Sequence, residues 1–227
     1  MNKQVSLSLL SGHLMLVSEQ LKTLFLRIPK TGSTTAVFYL LDSGLISDQD
    51  LYGNKTAKKA KRIVSQASAN MGGIAIKDEA AISNNSHRRH KDLILDYPFL
   101  KDYESIAVVR NPLTRIVSAA LMLQRDSGIE ALNRNIDFLL RHRTILSVPQ
   151  FEFIGESTTL WTTENLTETI ESYVLEKGGI IREQWRCREN KSCDYLSMLS
   201  DTNKDRIHEM YAKDFDLWQS AINNATS

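Results

Sequence analysis

The amino-acid sequence predicts an α/β fold, a P-loop-like parallel β-sheet flanked by helices, built as one domain over residues 1–227. Two short apolar runs, Leu24-Phe25-Leu26-Arg27-Ile28 and Ser105-Ile106-Ala107-Val108-Val109, each lead without slack into a polar loop and then a stretch of helical length. Repeated strand–loop–helix units of this kind build parallel sheets whose strands are buried on both faces. No internal repeat and no linker-like stretch divides the chain.

Taken in order, the first strand ends at Pro29, and Lys30-Thr31-Gly32-Ser33-Thr34-Thr35 passes into AVFYLLDSG, a helix that stops at Gly44. Residues 45–86 are polar and carry Lys55, Lys58, Lys59, Lys61 and Arg62, with Gly72-Gly73 ahead of a short strand candidate at Ile74-Ala75-Ile76. This reads as helix and loop over the rim of the core. After the second strand, Asn111 supplies a helix N-cap, Pro112 takes the first helical position, and LTRIVSAALMLQR continues the helix. A third strand is expected at Phe151-Glu152-Phe153-Ile154, ended by Gly155, and a helix over about 163–176 behind an acidic cap. From Asp201 to about Ala221 one amphipathic helix is expected, with Ile207, Met210, Tyr211, Phe215 and Trp218 on its apolar face.

Composition excludes several classes of function. With 28 Lys+Arg against 27 Asp+Glu the formal net charge is +1, so this is no polycation that binds nucleic acid by charge excess. At 42% hydrophobic and 24% charged residues the chain is globular. No apolar run approaches the roughly 18–20 residues of a membrane helix, and the start MNKQVSLSLLSGHLMLV, broken at Ser11-Gly12-His13, makes a poor signal peptide. Read from Met1, the chain is expected to be cytoplasmic. Two cysteines, Cys187 and Cys193, are either free or joined across the CRENKSC loop, and no CxxC or HExxH spacing calls for a metal.

The loop after the first strand carries chemistry. Where a strand's C-terminal end meets a helix N-terminus, unpaired backbone N–H groups and the helix dipole form an anion site. Gly32 lets the backbone approach the anion, the hydroxyls of Thr31, Ser33, Thr34 and Thr35 add donors, and Lys30 adds a mobile charge. The same segment also fits a Ser/Thr-rich helix cap with an exposed lysine. A nucleoside-triphosphate P-loop needs GxxxxGK[ST]; here Pro29 precedes the lysine and Gly32 follows it, so the order is wrong. The second anchor is Arg110, at the end of a buried strand, where open α/β sheets bind ligands. Arg115 and Ser118 stand three apart on the next helix and so share a face that is expected to meet the same anion.

Together, Pro29-Lys30-Thr31-Gly32-Ser33-Thr34 and Val109-Arg110-Asn111-Pro112 with Arg115 and Ser118 resemble the PKTGxT and VRNPxxRxxS signatures of sulfotransferases that use 3′-phosphoadenosine 5′-phosphosulfate. The resemblance is to the carbohydrate sulfotransferase superfamily of uronosyl 2-O and chondroitin-type members and their bacterial relatives. Met210-Tyr211-Ala212-Lys213-Asp214-Phe215 also looks like that family's C-terminal Tyr-x-x-Asp-Phe helix. Many members carry glycine where Ser33 stands and an aromatic where this chain has Ala120, which leaves the charged groups in place. The resemblance covers roughly 24–44, 87–126 and 205–219.

It implies a PAPS-dependent enzyme moving a sulfuryl group to a hydroxyl, on a carbohydrate acceptor, with no metal required. The first motif would hold the 5′-phosphosulfate and the second the 3′-phosphate, so the cofactor-binding set becomes Arg27, Lys30, Thr31, Gly32, Ser33, Thr34, Thr35, Arg110, Arg115 and Ser118. Lys30 would neutralise the bridging oxygen as it leaves. A histidine would serve as base: His87, twenty-three residues before Arg110 and followed by Asp92 and Leu93, or His90, expected on about the same helical face. Arg88, Arg89, Lys91, Arg182, Arg186, Arg188 and Lys191 could instead hold an anionic acceptor or the cofactor, or be solvated faces. Two other classes fit the residues: a nucleotide-dependent kinase or NTPase with an aberrant loop, and a non-catalytic module that binds an anionic ligand.

Overall fold

The computed structural model describes residues 15–18, 20–46, 51–52, 87–123, 128–182 and 191–225. The described strands are β1 (Met15–Ser18), β2 (Thr23–Leu26), β3 (Leu51–Tyr52), β4 (Glu104–Val109) and β5 (Thr159–Thr162). They form one sheet in the order β3-β1-β2-β4-β5. Its helices are α1 (Ser33–Asp42), α2 (His90–Asp96), α3 (Pro112–Leu123), α4 (Ile129–Arg141), α5 (Leu166–Glu176), α6 (Asp201–Met210) and α7 (Ala212–Ala225). The α/β class is therefore as expected, with a change in the sheet. β2, β4 and β5 run parallel, with Leu26 opposite Ala107 and Val109 opposite Thr162, whereas β1 pairs antiparallel with both β2 and β3.

Alternation along the central strands divides the core in two. Phe25, Ile106, Val108 and Trp161 pack against α1 and α5 through Ala36, Leu40, Leu166, Ile170 and Val174. Leu24, Leu26, Ala107 and Val109 face the other way, onto Leu93, Leu100, Val148, Phe153 and Ala221. A period-2 strand exposes alternate residues to opposite faces, and here both faces are covered, so every position of Leu24–Leu26 and Ile106–Val109 is buried. A third cluster joins α3 to α4 and α6 through Ile116, Ala120, Leu132, Ile136, Ile207 and Tyr211.

Several expected elements change. Phe151–Ile154 is not a strand: Gln150–Glu152 is a 3-10 turn, with Phe153 N–H bonded to Gln150 O at 3.0 Å. The Asp214 carboxylate takes the amides of Gln150 and Phe151, which leaves this backbone no ladder to join. The sheet is completed instead by β5. α5 begins at Leu166 and its N-cap residue Asn165 makes no side-chain capping bond. The C-terminal helix is two, interrupted at Tyr211, whose backbone leaves helical geometry (φ −115, ψ 23). Tyr211 is buried and Met210, expected on the apolar face, is exposed. Asn111 does cap α3, its Oδ1 accepting the amides of Leu113 and Thr114, and Gly44 closes α1 with φ +77. The Ile74–Ile76 strand candidate lies outside the described residues.

Candidate active site

The parallel strands β2, β4 and β5 end on the same side of the sheet, and the two sequence anchors emerge there. Beyond β2 the chain turns sharply, because Lys30 (φ 67) and Gly32 (φ 87) both adopt left-handed backbone. Glycine suits that conformation, and a Cβ on Gly32 would also stand 2.9 Å from Leu166 Cδ2. The Thr31 and Ser33 hydroxyls donate back to Ile28 O at 3.0 and 3.3 Å. They brace the loop rather than point outward as ligand donors, so these residues offer an anion their backbone. α1 opens with the Ala36 N–H to Gly32 O bond, and its first turn holds no acidic residue. Amides ahead of that bond have no intrahelical acceptor, which leaves the positive end of α1 for an anion. Thr34 is exposed and accepts Arg27 Nη2 at 3.4 Å, Thr35 is half-buried, and the Lys30 ammonium lies 3.6 Å from Met122 Sδ.

Arg110 follows the last ladder pair of β4. Its Nε donates to Thr114 Oγ1 at 2.9 Å and its Nη1 to Lys30 O at 3.2 Å, so the second anchor grips the backbone of the first. Arg115 differs from its expected place. It has no exposed surface; Nε donates to Pro29 O at 3.0 Å and Nη2 to Val148 O at 2.9 Å. Projecting from α3 beneath the Pro29 turn, it braces the loop from below, and its Nη1 has no hydrogen-bond partner. Ser118 is buried on the same helix. Thr163 Oγ1 joins the ends of the strands, 2.7 Å from Thr31 O and 3.1 Å from Val109 O.

His87 and His90 separate. α2 begins at His90 with Arg89 as its N-cap, so the two histidines do not share a helical face. His87 Nδ1 lies 2.7 Å from Arg27 O, beside the loop. Burial above all, then the neighbouring charge of Arg27, pushes its pKa down to about 4; the backbone bond opposes this shift, and Arg115 adds to it. His90 packs its ring against Gly155, where a Cβ would come within 2.6 Å of Nδ1, and burial lowers its pKa. Arg88 is taken by Asp96 and Arg89 by Glu152, while Lys91 and Arg182 are exposed. The side chains of Arg186, Arg188 and Lys191 lie outside the described residues. Cys193 is a free, exposed thiol, and Cys187 is outside the described residues.

Three guanidinium groups here are desolvated. Burial lowers the pKa of Arg27 to about 10, and it lowers those of Arg110 and Arg115, whose shifts Glu164 and Asp214 respectively oppose. Among the described residues neither Arg27 nor Arg115 forms an ion pair, and Arg27 Nε, like Arg115 Nη1, is buried without a hydrogen-bond partner. Asp214 offsets Arg115 through space without an ion pair, and burying cationic groups is costly unless an anion joins them. Such a site fits a polyanionic ligand. No group of three or more His, Cys, Asp or Glu among the described residues is placed to hold a metal ion. No helix among them is long and apolar enough to cross a membrane.

The site is thus an α/β sheet whose strand ends carry the Lys30 loop, tied by hydrogen bond to Arg110 of the adjacent strand. Residues 13–126, half of the chain, match the family model described as "Sulfotransferase family", and the chain belongs to that family. Neither a curated protein nor a solved structure matches it.

Sequence reasoning missed Gln150, Thr163 and Asp214. Gln150 and Thr163 sit in turns with no motif around them. Asp214 was visible only as part of the Tyr-x-x-Asp-Phe pattern, without a partner.

Proposed function

We propose that the protein transfers a sulfuryl group from 3′-phosphoadenosine 5′-phosphosulfate to a hydroxyl, on a carbohydrate acceptor, and that residues 1–227 act as one domain. The observation that carries this reading is the 3.2 Å bond from Arg110 Nη1 to Lys30 O, which brings the two motif segments together. Membership of the sulfotransferase family supports sulfuryl transfer. The donor assignment rests on the pair of motifs and the desolvated guanidinium groups of Arg27, Arg110 and Arg115, and the carbohydrate acceptor on the motif resemblance.

In this reading the first-turn amides of α1 with the backbone of Thr31, Gly32 and Ser33 hold the 5′-phosphosulfate, flanked by Arg27, Thr34 and Thr35. Arg110 and Ser118 hold the 3′-phosphate. Arg115 supplies positive potential from below. The donor brings the sulfuryl group and a phosphate leaving group. Sulfuryl transfer, like phosphoryl transfer, asks the protein mainly for positioning and for stabilisation of charge on the leaving oxygen. Lys30 provides that charge. His87 is the base: a carbonyl only accepts, so Nδ1 donates to Arg27 O, and the neutral ring keeps its lone pair on Nε2 for the acceptor's proton. His90, packed on Gly155, is left to anchor α2.

Thermal stabilisation by 3′-phosphoadenosine 5′-phosphate, compared with Mg-ATP in the parent and in Arg110→Ala, tests the reading. A shift specific to the bisphosphate and abolished by Arg110→Ala is expected. Equal stabilisation by Mg-ATP would favour a kinase or NTPase. Binding without sulfuryl transfer to any hydroxyl acceptor would favour an anion-binding module.

A further inference from the structure

Arg110 stands one residue past the point where β4 stops pairing, so no neighbouring strand serves its main chain. A side chain does so instead. Gln150 Oε1 accepts the Arg110 N–H at 2.9 Å, and Gln150 Nε2 donates to Arg110 O at 2.8 Å, closing a two-bond ring like that of an adjacent strand. Gln150 has no exposed surface, so its amide has no water to exchange these bonds for.

The segment that carries Gln150 is itself clamped by three buried side chains from α3 and the C-terminal helices. Tyr211 Oη donates to Ser147 O at 2.5 Å and Arg115 Nη2 to Val148 O at 2.9 Å. Asp214, fully buried, accepts the amides of Gln150 at 2.7 Å and Phe151 at 3.0 Å. Asp214 thus fixes Gln150, Gln150 fixes the Arg110 backbone, and Arg110 reaches Lys30. Gln150, Tyr211 and Asp214 all lie beyond residues 13–126, the part that matches the family model.

We propose that Gln150 is a positioning residue for donor recognition, acting through Arg110, and that Asp214 holds it in place. The inference rests on the reading of Arg110 as the seat of the donor's 3′-phosphate. An Arg110 whose main chain swivels loses its aim at that phosphate, while the loop at α1, which holds the 5′ group, keeps its own braces at Ile28 O. The Gln150–Asp214 pair therefore acts chiefly on the 3′-phosphate, its link to the 5′ loop being the Arg110–Lys30 O bond beside the loop's own braces at Ile28 O.

The test compares the affinities for 3′-phosphoadenosine 5′-phosphate and adenosine 5′-phosphate, measured by calorimetry on the full chain. The parent should prefer the bisphosphate on the order of 100-fold, as charge-assisted hydrogen bonds to one phosphate allow. Gln150→Met, similar in length but unable to form the amide pair, should cut that preference about tenfold and leave adenosine 5′-phosphate binding within about twofold. Asp214→Asn, which keeps the volume but only one acceptor oxygen, should lose the same preference in part, and it carries the test if Gln150→Met does not fold. An undiminished preference, or an equal loss for both ligands, would overturn the positioning role. A parent without any preference, or an Arg110→Ala variant that keeps it, would overturn the underlying reading of Arg110.

Discussion

His87 Nδ1 sits 2.7 Å from the main-chain oxygen of Arg27, three residues before Lys30, and the ring is held neutral with a pKa pushed down to about 4. A general base works only when deprotonated. The acid limb of kcat/KM, which reports the free enzyme, should therefore fall well below the ordinary imidazole value of about 6.5, near pH 4–5. His87→Ala should lose about 10²- to 10⁴-fold in kcat. An acid limb at about 6.5 would assign the base to another group.

The same depressed pKa has a consequence for stability. In the unfolded chain His87 takes up a proton near its ordinary pKa, but in the fold it resists until about pH 4. Stability is thus fully present above pH 6.5 and declines as the pH falls through the window from about 6.5 to 4, by up to about 3 kcal/mol from this group. Urea titrations across that window should show a flatter profile for His87→Gln, which has no imidazole to protonate, than for the parent.

Lys30 combines a proposed catalytic ammonium with a left-handed backbone (φ 67). Removing the ammonium should leave much of the bisphosphate affinity, which rests on backbone amides and Arg110, while reducing transfer about 10²- to 10³-fold. The strain lets function and stability be told apart. Left-handed geometry costs a residue with a Cβ roughly 1–2 kcal/mol, partly offset by glycine's freedom in the unfolded chain. Lys30→Gly should therefore be roughly 0.5–1 kcal/mol more stable than Lys30→Ala, and equally inactive. Thermal denaturation of both variants beside a transfer assay checks the pair.

What the sequence disclosed was local, and what it concealed depends on contacts between distant segments. The loop from Pro29 to Thr35 and the Asn111 cap of α3 follow from neighbours along the chain. β1 escaped notice because Met15–Ser18 gains its strand character from pairing with β2 and β3. Phe151–Ile154 looked like a strand because its apolar residues fill the core, as Phe153 does; its backbone is claimed by Asp214, more than 60 residues away. Arg115 had the right spacing for an anion contact, but spacing does not say that the chain at Pro29 and Val148 closes over it. That His87 and His90 do not share a helical face follows from the start of α2 at His90, which the spacing alone does not fix.

Gly32 links the loop's shape to its binding surface, and its replacement separates two penalties. A Cβ would stand 2.9 Å from Leu166 Cδ2, the end of a flexible side chain that can move aside, whereas φ +87 is a property of the backbone that repacking does not relieve. Gly32→Ala should cost roughly 1–2 kcal/mol of stability and weaken the bisphosphate, because the amides that would line the anion site follow from that turn. Leu166→Ala in the same chain removes the steric contact but also a buried side chain of the cluster under α1, so the double variant should be less stable than Gly32→Ala and should bind no better. Recovery of affinity in the double variant would place the cost in the leucine contact and not in the backbone, and calorimetric binding on the three proteins decides between them.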